Sequence, residues 1–204
     1  MDLSRAALVV VDVQQGFVNE HSEPVVPQVL ELVEAWRGAG LPLVLAKFYN
    51  APGSPYERIS GWLRLRTPEE QALVPALQAY AQDAELVVEK PVSSALTAEL
   101  AQRARERAWT DLVVCGIDTD SCVYDTAVAA YHGGLTPWIV TDACASSGGD
   151  EPHEAALLLA RRNIGEGQLT TVSAVLADLA DVRAAQAVAR SRPAGAEREG
   201  DVHA

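Results

Sequence analysis

Positive charge, cysteine and aromatic residues are all scarce in this chain, and each scarcity narrows what it can be. Lys and Arg together number 16 against 28 Asp and Glu, a formal net charge of -12. A nucleic-acid binder needs a basic surface to release counterions from the phosphate backbone, so no nucleic-acid partner is expected. The same balance argues against an anionic membrane and is otherwise the ordinary mark of a solvated acidic exterior. The three cysteines, Cys115, Cys122 and Cys144, are odd in number and widely spaced, without a CxxC pair. Neither a disulfide framework nor a thiolate zinc site is expected from them. The four histidines, His21, His132, His153 and His203, show neither HxH nor HExxH spacing, so no metal is expected. The apolar run near the N-terminus is too short to span a membrane. It also lacks the basic start and cleavage site of a signal peptide, so the expected location is cytoplasmic, with reduced thiols. With aromatics at 5%, the core falls to Ala, Val and Leu, which suits close packing of helices on a sheet.

What is present is a regular alternation. A length of 204 residues fits one domain, expected over residues 1–190, followed by a Gly-, Ala-, Pro- and charge-rich tail, 191–204, expected to be disordered. Short β-branched runs at Ala6 to Val13, Leu41 to Phe48, Glu85 to Lys90, Asp111 to Gly116, Thr136 to Thr141 and Gln168 to Val172 read as strands. The first is continuously apolar, as in a strand buried on both faces. Helical spacing marks Val25 to Ala39, Thr97 to Ala108, Asp120 to His132, Pro152 to Asn163 and Ser173 to Ala189, with a further helix over Pro68 to Ala81. The segment from Tyr49 to Thr67 is broken by Pro and Gly and reads as a long loop, a candidate substrate wall. Strands alternating with helices predict an α/β fold, a three-layer α/β/α sandwich around a six-stranded, mostly parallel sheet of Rossmann-like type.

In such sheets ligands sit beyond the carboxyl ends of the strands. That rule selects Asp12 at the end of the first strand, Lys90 at the end of the third and Cys122 after the fourth. Singly, each has an ordinary explanation: a cap, a solvated strand end, a small core residue. Their convergence on one sheet edge is what points to chemistry. A thiol becomes nucleophilic on deprotonation, and a helix start together with a nearby lysine is expected to lower the Cys122 pKa. Asp12 is placed to take the thiol proton and return it to a leaving nitrogen. Backbone N–H groups between Gly116 and Cys122 are placed to receive an oxyanion. Cys115, inside an apolar strand, reads as core, and Cys144 as a bystander.

Three segments carry a resemblance. G-I-D-T-D-S-C-V, Gly116 to Val123, resembles the nucleophile motif of the isochorismatase-like cysteine hydrolases. V-V-D-V-Q-Q-G-F, Val10 to Phe17, resembles their catalytic-aspartate segment, and E-K-P-V-S-S-A-L, Glu89 to Leu96, their catalytic-lysine segment. The similarity runs from about residue 6 to residue 175. It implies Asp12 as proton-transfer base, Lys90 as its electrostatic partner and Cys122 as nucleophile. It also implies a cis peptide between Ile117 and Asp118 that turns the N–H groups of Asp118 and Cys122 into an oxyanion hole. A homo-oligomer, dimer or tetramer, is implied as well.

The departures bear on substrate. Metal-dependent nicotinamidases of that superfamily carry histidines after the second strand, whereas Phe48 to Arg58 here contains none. The resemblance therefore implies an enzyme with no cofactor and no nicotinamidase activity. Isochorismatases that cleave a vinyl ether typically lack the cysteine that this chain keeps at 122. The expected function is hydrolysis of a C–N bond in a small non-peptide amide or carbamoyl compound through an acyl-enzyme on Cys122. Phe17, Asn50, Ser54, Tyr56, Arg58 and Trp62 are the expected pocket residues, with Arg58 a partner for a substrate carboxylate. Two alternatives stay open: vinyl-ether cleavage with Asp12 as general acid, and a catalytically silent binding subunit on the same scaffold.

Overall fold

The computed structural model describes residues 1–191. Six strands form one parallel sheet: β1 Ala6–Val11, β2 Leu43–Phe48, β3 Leu86–Lys90, β4 Asp111–Ile117, β5 Thr136–Ala145 and β6 Leu169–Thr170, in the order β3-β2-β1-β4-β5-β6. Helices cover both faces. Along the chain they are α1 Val26–Gly38, the single turns α2 Pro55–Arg58, α3 Pro68–Gln71 and α4 Pro75–Gln78, then α5 Ala98–Glu106, α6 Tyr124–His132, α7 Asp150–Asn163 and α8 Val172–Ser191. The tail expected to be disordered begins at Ser191, and residues 192–204 lie outside the described residues.

The central strands β1 and β4 are buried along their whole length, as continuous apolar runs between two helical layers must be. β1 ends two residues before the expected Val13 because Asp12 turns the chain with φ +52. One residue before the end of β4 stands Gly116, at φ +124, directly beside Val11 of β1. A Cβ on Gly116 would lie 2.1 Å from the Val11 carbonyl oxygen, so glycine is what lets these two strand ends approach. The sheet order reverses between β1 and β4, which makes their carboxyl ends the switch point where a crevice opens.

Three further expected elements differ. The helix expected over Pro68 to Ala81 is broken into α3 and α4, because Ala72 is extended and Leu73 bridges antiparallel to Gln14 before Pro75 restarts a turn. The strand expected to stop at Thr141 continues to Ala145, since Cys144 and Ala145 pair with Gly116 and Ile117 after a register shift. The helix expected from Asp120 begins instead as a π-helical turn, Thr119–Val123, that passes into α6.

Candidate active site

Asp12, Lys90 and Cys122 meet at the carboxyl edge of the sheet, and all three are buried; Asp12 and Lys90 are 0% exposed. Lys90 reaches from the end of β3 across β2 to Asp12, with its Nζ 2.6 Å from Oδ2. The same ammonium donates to the Val92 carbonyl at 3.1 Å and the Ser93 carbonyl at 2.7 Å, so its three donors all have acceptors. It also lies 5.4 Å from the centre of the Phe48 ring, a cation–π distance. Among the described residues Asp12 Oδ1 makes no hydrogen bond, while the Cys122 thiol is near enough for each group to shift the other's titration.

Those shifts correct one expectation. The Cys122 thiol is raised well above its ordinary value, first by burial and then by the negative charge of Asp12, with the opposing pull of Lys90 too small to reverse them. The expected lowering neglected both burial and the carboxylate. Burial also raises Asp12, against the attraction of Lys90. At rest the thiol therefore keeps its proton beside an acceptor that has a free oxygen.

The turn carrying the cysteine is fixed from several sides. The Ile117–Asp118 peptide is cis. The N–H groups of Ser121 and Val123 donate to the Asp118 carbonyl at 3.2 and 3.0 Å. Thr126 Oγ1 donates to the Cys122 carbonyl at 2.6 Å and accepts from the Ala95 N–H at 2.8 Å, tying the turn to the segment that follows Lys90. Thr119 Oγ1 lies 2.8 Å from His153 Nδ1 on α7. The Asp118 carboxylate accepts from the Ser147 N–H at 2.6 Å, and burial pushes its pKa up to about 6.

Above Cys122 opens a cavity of about 330 Å³ lined by Phe17, Phe48, Tyr56, Ser60, Trp62, Arg64, Asp118, Ser121, Cys122 and Ser147. Its apolar wall is an aromatic cluster. Phe17 stacks on Trp62 with centroids 6.0 Å apart, and Phe48 meets Tyr56 edge-on at 5.2 Å. Both phenylalanines of a chain poor in aromatics stand here.

A family model described as the isochorismatase domain matches residues 6–173. The chain belongs to the isochorismatase domain family. Among relatives of this isochorismatase-family chain is a ureidoacrylate amidohydrolase from Methylobacterium radiotolerans, 28% identical over 98% of this chain and 86% of its own. An isochorismatase family protein from Burkholderia thailandensis superposes with a TM-score of 0.74 at 28% identity, covering 87% of this chain and 96% of that one. The N-carbamoylsarcosine amidase of Thermoplasma acidophilum superposes at 0.70 with 25% identity, covering 82% and 95%.

Of the expected pocket residues, Phe17, Tyr56 and Trp62 line the cavity of this family member and Asn50, Ser54 and Arg58 do not. Asn50 is buried as a loop anchor: its amide donates to the Trp62 carbonyl at 2.9 Å and its oxygen accepts from Ser54 Oγ at 2.6 Å. Ser54 also caps α2 through the Glu57 N–H. Arg58 turns back to the Gly53 carbonyl at 3.0 Å, outside the cavity. The loop contributes Ser60 and Arg64 instead, which sequence reasoning missed. Phe48 was missed too, although it ends β2 at the sheet edge that selected Asp12 and Lys90. Gln14, buried, holds that edge by donating to the Phe48 and Gln71 carbonyls and accepting from the Phe48 N–H at 2.8 Å.

Proposed function

We propose that this chain hydrolyses a C–N bond of a small amide or carbamoyl compound, with Cys122 as nucleophile. The observation that carries the reading is the buried Asp12–Lys90 pair, coupled to the Cys122 thiol that lines the cavity, with one Asp12 oxygen unpaired among the described residues. The ureidoacrylate amidohydrolase and N-carbamoylsarcosine amidase relatives, named for C–N substrates, support it. The loop after β2, which has no histidine between Phe48 and Arg58, supports a metal-free reading distinct from nicotinamide hydrolysis.

The chemistry then runs in two halves. As a substrate carbonyl enters, Asp12 Oδ1 takes the thiol proton and sulfur bonds to the carbonyl carbon. The negative charge passes to the carbonyl oxygen, which accepts from the backbone N–H groups of Asp118 and Cys122. Collapse of this intermediate breaks the C–N bond, Asp12 gives its proton to the departing nitrogen, and ammonia or an amine leaves a thioester on Cys122. Water, losing a proton to Asp12, attacks the thioester. Release of the acid returns the proton to sulfur. Throughout, the Lys90 ammonium holds Asp12 in orientation, and it favours the ionised carboxylate at the stages where Asp12 must accept a proton.

Ammonia release from a panel of primary amides and carbamoyl compounds, with wild type and Cys122→Ala, tests this. Wild type releases ammonia from at least one class and the variant from none. Equal release by both proteins refutes a nucleophilic role for the cysteine.

A further inference from the structure

Three arginines stand close together in the segment between β2 and α3, and they are held differently. Arg66 pairs with Glu57 at 2.7 Å, and Arg58 is turned onto the Gly53 carbonyl away from the cavity. Arg64 lines the cavity and makes no ion pair among the described residues. Its guanidinium donates to the Gly16 carbonyl at 2.5 Å, which leaves further N–H groups of its fork uncommitted. The attachment is firm, because Gly16 itself donates to the Glu70 carbonyl at 2.9 Å and Leu65, the next residue after Arg64, is fully buried. A Cβ at residue 16 would lie 2.8 Å from the Leu65 side chain, so the two segments meet without room for more.

The other charges around the cavity are already matched or sit on another wall. Lys90 and Asp12 neutralise each other beneath the floor. Asp118 belongs to the turn after β4 and accepts from the Ser147 N–H. Apart from the weaker pull it shares with the Glu70 carboxylate, the Arg64 guanidinium has no ion-pair partner among the described residues, and it stands on the loop wall of a protein whose net charge is -12. Opposite signs on the two walls orient a ligand: an anionic group is drawn to the loop and repelled from the Asp118 side, where Cys122 attacks. The aromatic wall of Phe17, Phe48, Tyr56 and Trp62 encloses the apolar linker between the two ends.

Resting on the hydrolase reading above, we infer that the substrate is a small carbamoyl or amide compound bearing a carboxylate, and that Arg64 binds that carboxylate while the amide carbon faces Cys122. Guanidinium and carboxylate match in planar, two-point geometry, so Arg64 discriminates acids from neutral analogues of equal size.

The test uses the full chain carrying Cys122→Ala, which binds without turnover, and calorimetric titration with N-carbamoylglycine, N-carbamoyl-β-alanine and their methyl esters. At least one acid binds roughly 10- to 100-fold more tightly than its ester, as expected for charge-assisted hydrogen bonds. Adding Arg64→Gln abolishes that preference, and Arg64→Lys keeps part of it. A purely structural role for Arg64 in holding Gly16 would weaken acid and ester alike and leave their ratio unchanged, which overturns the inference. Equal binding of acids and esters, or binding of neither, overturns it as well. If wild type releases no ammonia from these acids while the Arg64-dependent preference persists, the anion subsite stands and the hydrolase reading fails.

Discussion

Replacing Lys90 with methionine, a side chain of similar length without charge, removes three hydrogen bonds at once. The Asp12 carboxylate loses its ion pair at a position with 0% exposure, and the Val92 and Ser93 carbonyls lose their shared donor. Breaking one side of a buried pair costs about 3–5 kcal/mol, because the remaining charge is neither solvated nor compensated. Against a total stability of about 5–15 kcal/mol, that is a large but survivable fraction. Asp12→Asn leaves Lys90 with two carbonyls and an amide oxygen as acceptors, so it costs less. Combining the two removes both charges, and the double variant is more stable than Lys90→Met by about 1–3 kcal/mol, the range of coupling between contacting residues.

The same perturbation has a pH signature. Lys90 pulls the Asp12 pKa down against burial, so without it the carboxyl titrates higher still in the folded state. An acid whose folded pKa exceeds its unfolded value stabilises the fold while protonated and ceases to do so as pH rises through the folded pKa. The deficit of Lys90→Met relative to wild type is therefore larger at pH 8 than at pH 5. Urea unfolding of the four proteins at both pH values, followed by circular dichroism, measures this. Activity of Lys90→Met falls roughly 100- to 10,000-fold at neutral pH, since a protonated Asp12 no longer accepts the thiol proton. A pH-independent deficit with strictly additive single-variant costs would refute the electrostatic account of the pair.

The raised Cys122 thiol predicts slow alkylation by iodoacetamide near pH 7 in the absence of substrate, still rising with pH beyond the ordinary thiol range. Fast labelling with a midpoint below pH 7 would overturn that assignment; mass spectrometry of the labelled peptide separates Cys122 from the buried Cys115 and Cys144. For Asp118, the carboxyl is pushed up from an ordinary value of 3.8 to about 6, so above pH 6 its folded form carries a charge that burial disfavours. The difference corresponds to roughly 3 kcal/mol at most. Asp118→Asn keeps an acceptor for the Ser147 N–H and raises the melting temperature at pH 8 by several degrees, with the gain fading towards pH 4. A loss of stability at pH 8, or the same gain at both ends, counts against it.

How far the site can be read from sequence depends on which groups the backbone alone delivers. Asp12, Lys90 and Cys122 lie at or just past strand ends of a parallel sheet, so topology brings them together whatever the loops do. Phe48 ends β2 at the same edge and is open to the same inference. The wall formed by residues 49–67 follows a different logic. Its path is set by Asn50 holding the Trp62 carbonyl and by Ser54 closing on Asn50, contacts that pull the polar residues expected in the pocket into the scaffold. The residues left facing the cavity, Ser60 and Arg64, carry no local signature, since Arg58, Arg64 and Arg66 are equivalent on a list. The split of the helix expected over Pro68 to Ala81 has the same origin, a pairing of Leu73 with Gln14 across 59 positions that no local pattern encodes. The thiol pKa was misjudged for a further reason: a helix start and a lysine are visible in sequence, but degree of burial is not.

A high resting pKa is compatible with nucleophilic work when the acceptor is built in. Cys122 is 4% exposed and keeps its proton, so it is a poor target for oxidants and alkylating agents, whose reactions require the thiolate. In the proposed mechanism it is activated by proton transfer to Asp12 Oδ1, the oxygen of the pair that no donor other than this thiol reaches among the described residues. An unpaired buried acceptor costs about 1–3 kcal/mol, and a fourth donor at this floor would remove that cost by occupying the oxygen that must receive the proton. The three donors of Lys90 divide accordingly: one goes to Oδ2, and two go to the Val92 and Ser93 carbonyls, which leaves none for Oδ1. On this reading the thiolate forms only as a carbonyl arrives to accept its charge, and reactivity is tied to occupancy of the cavity.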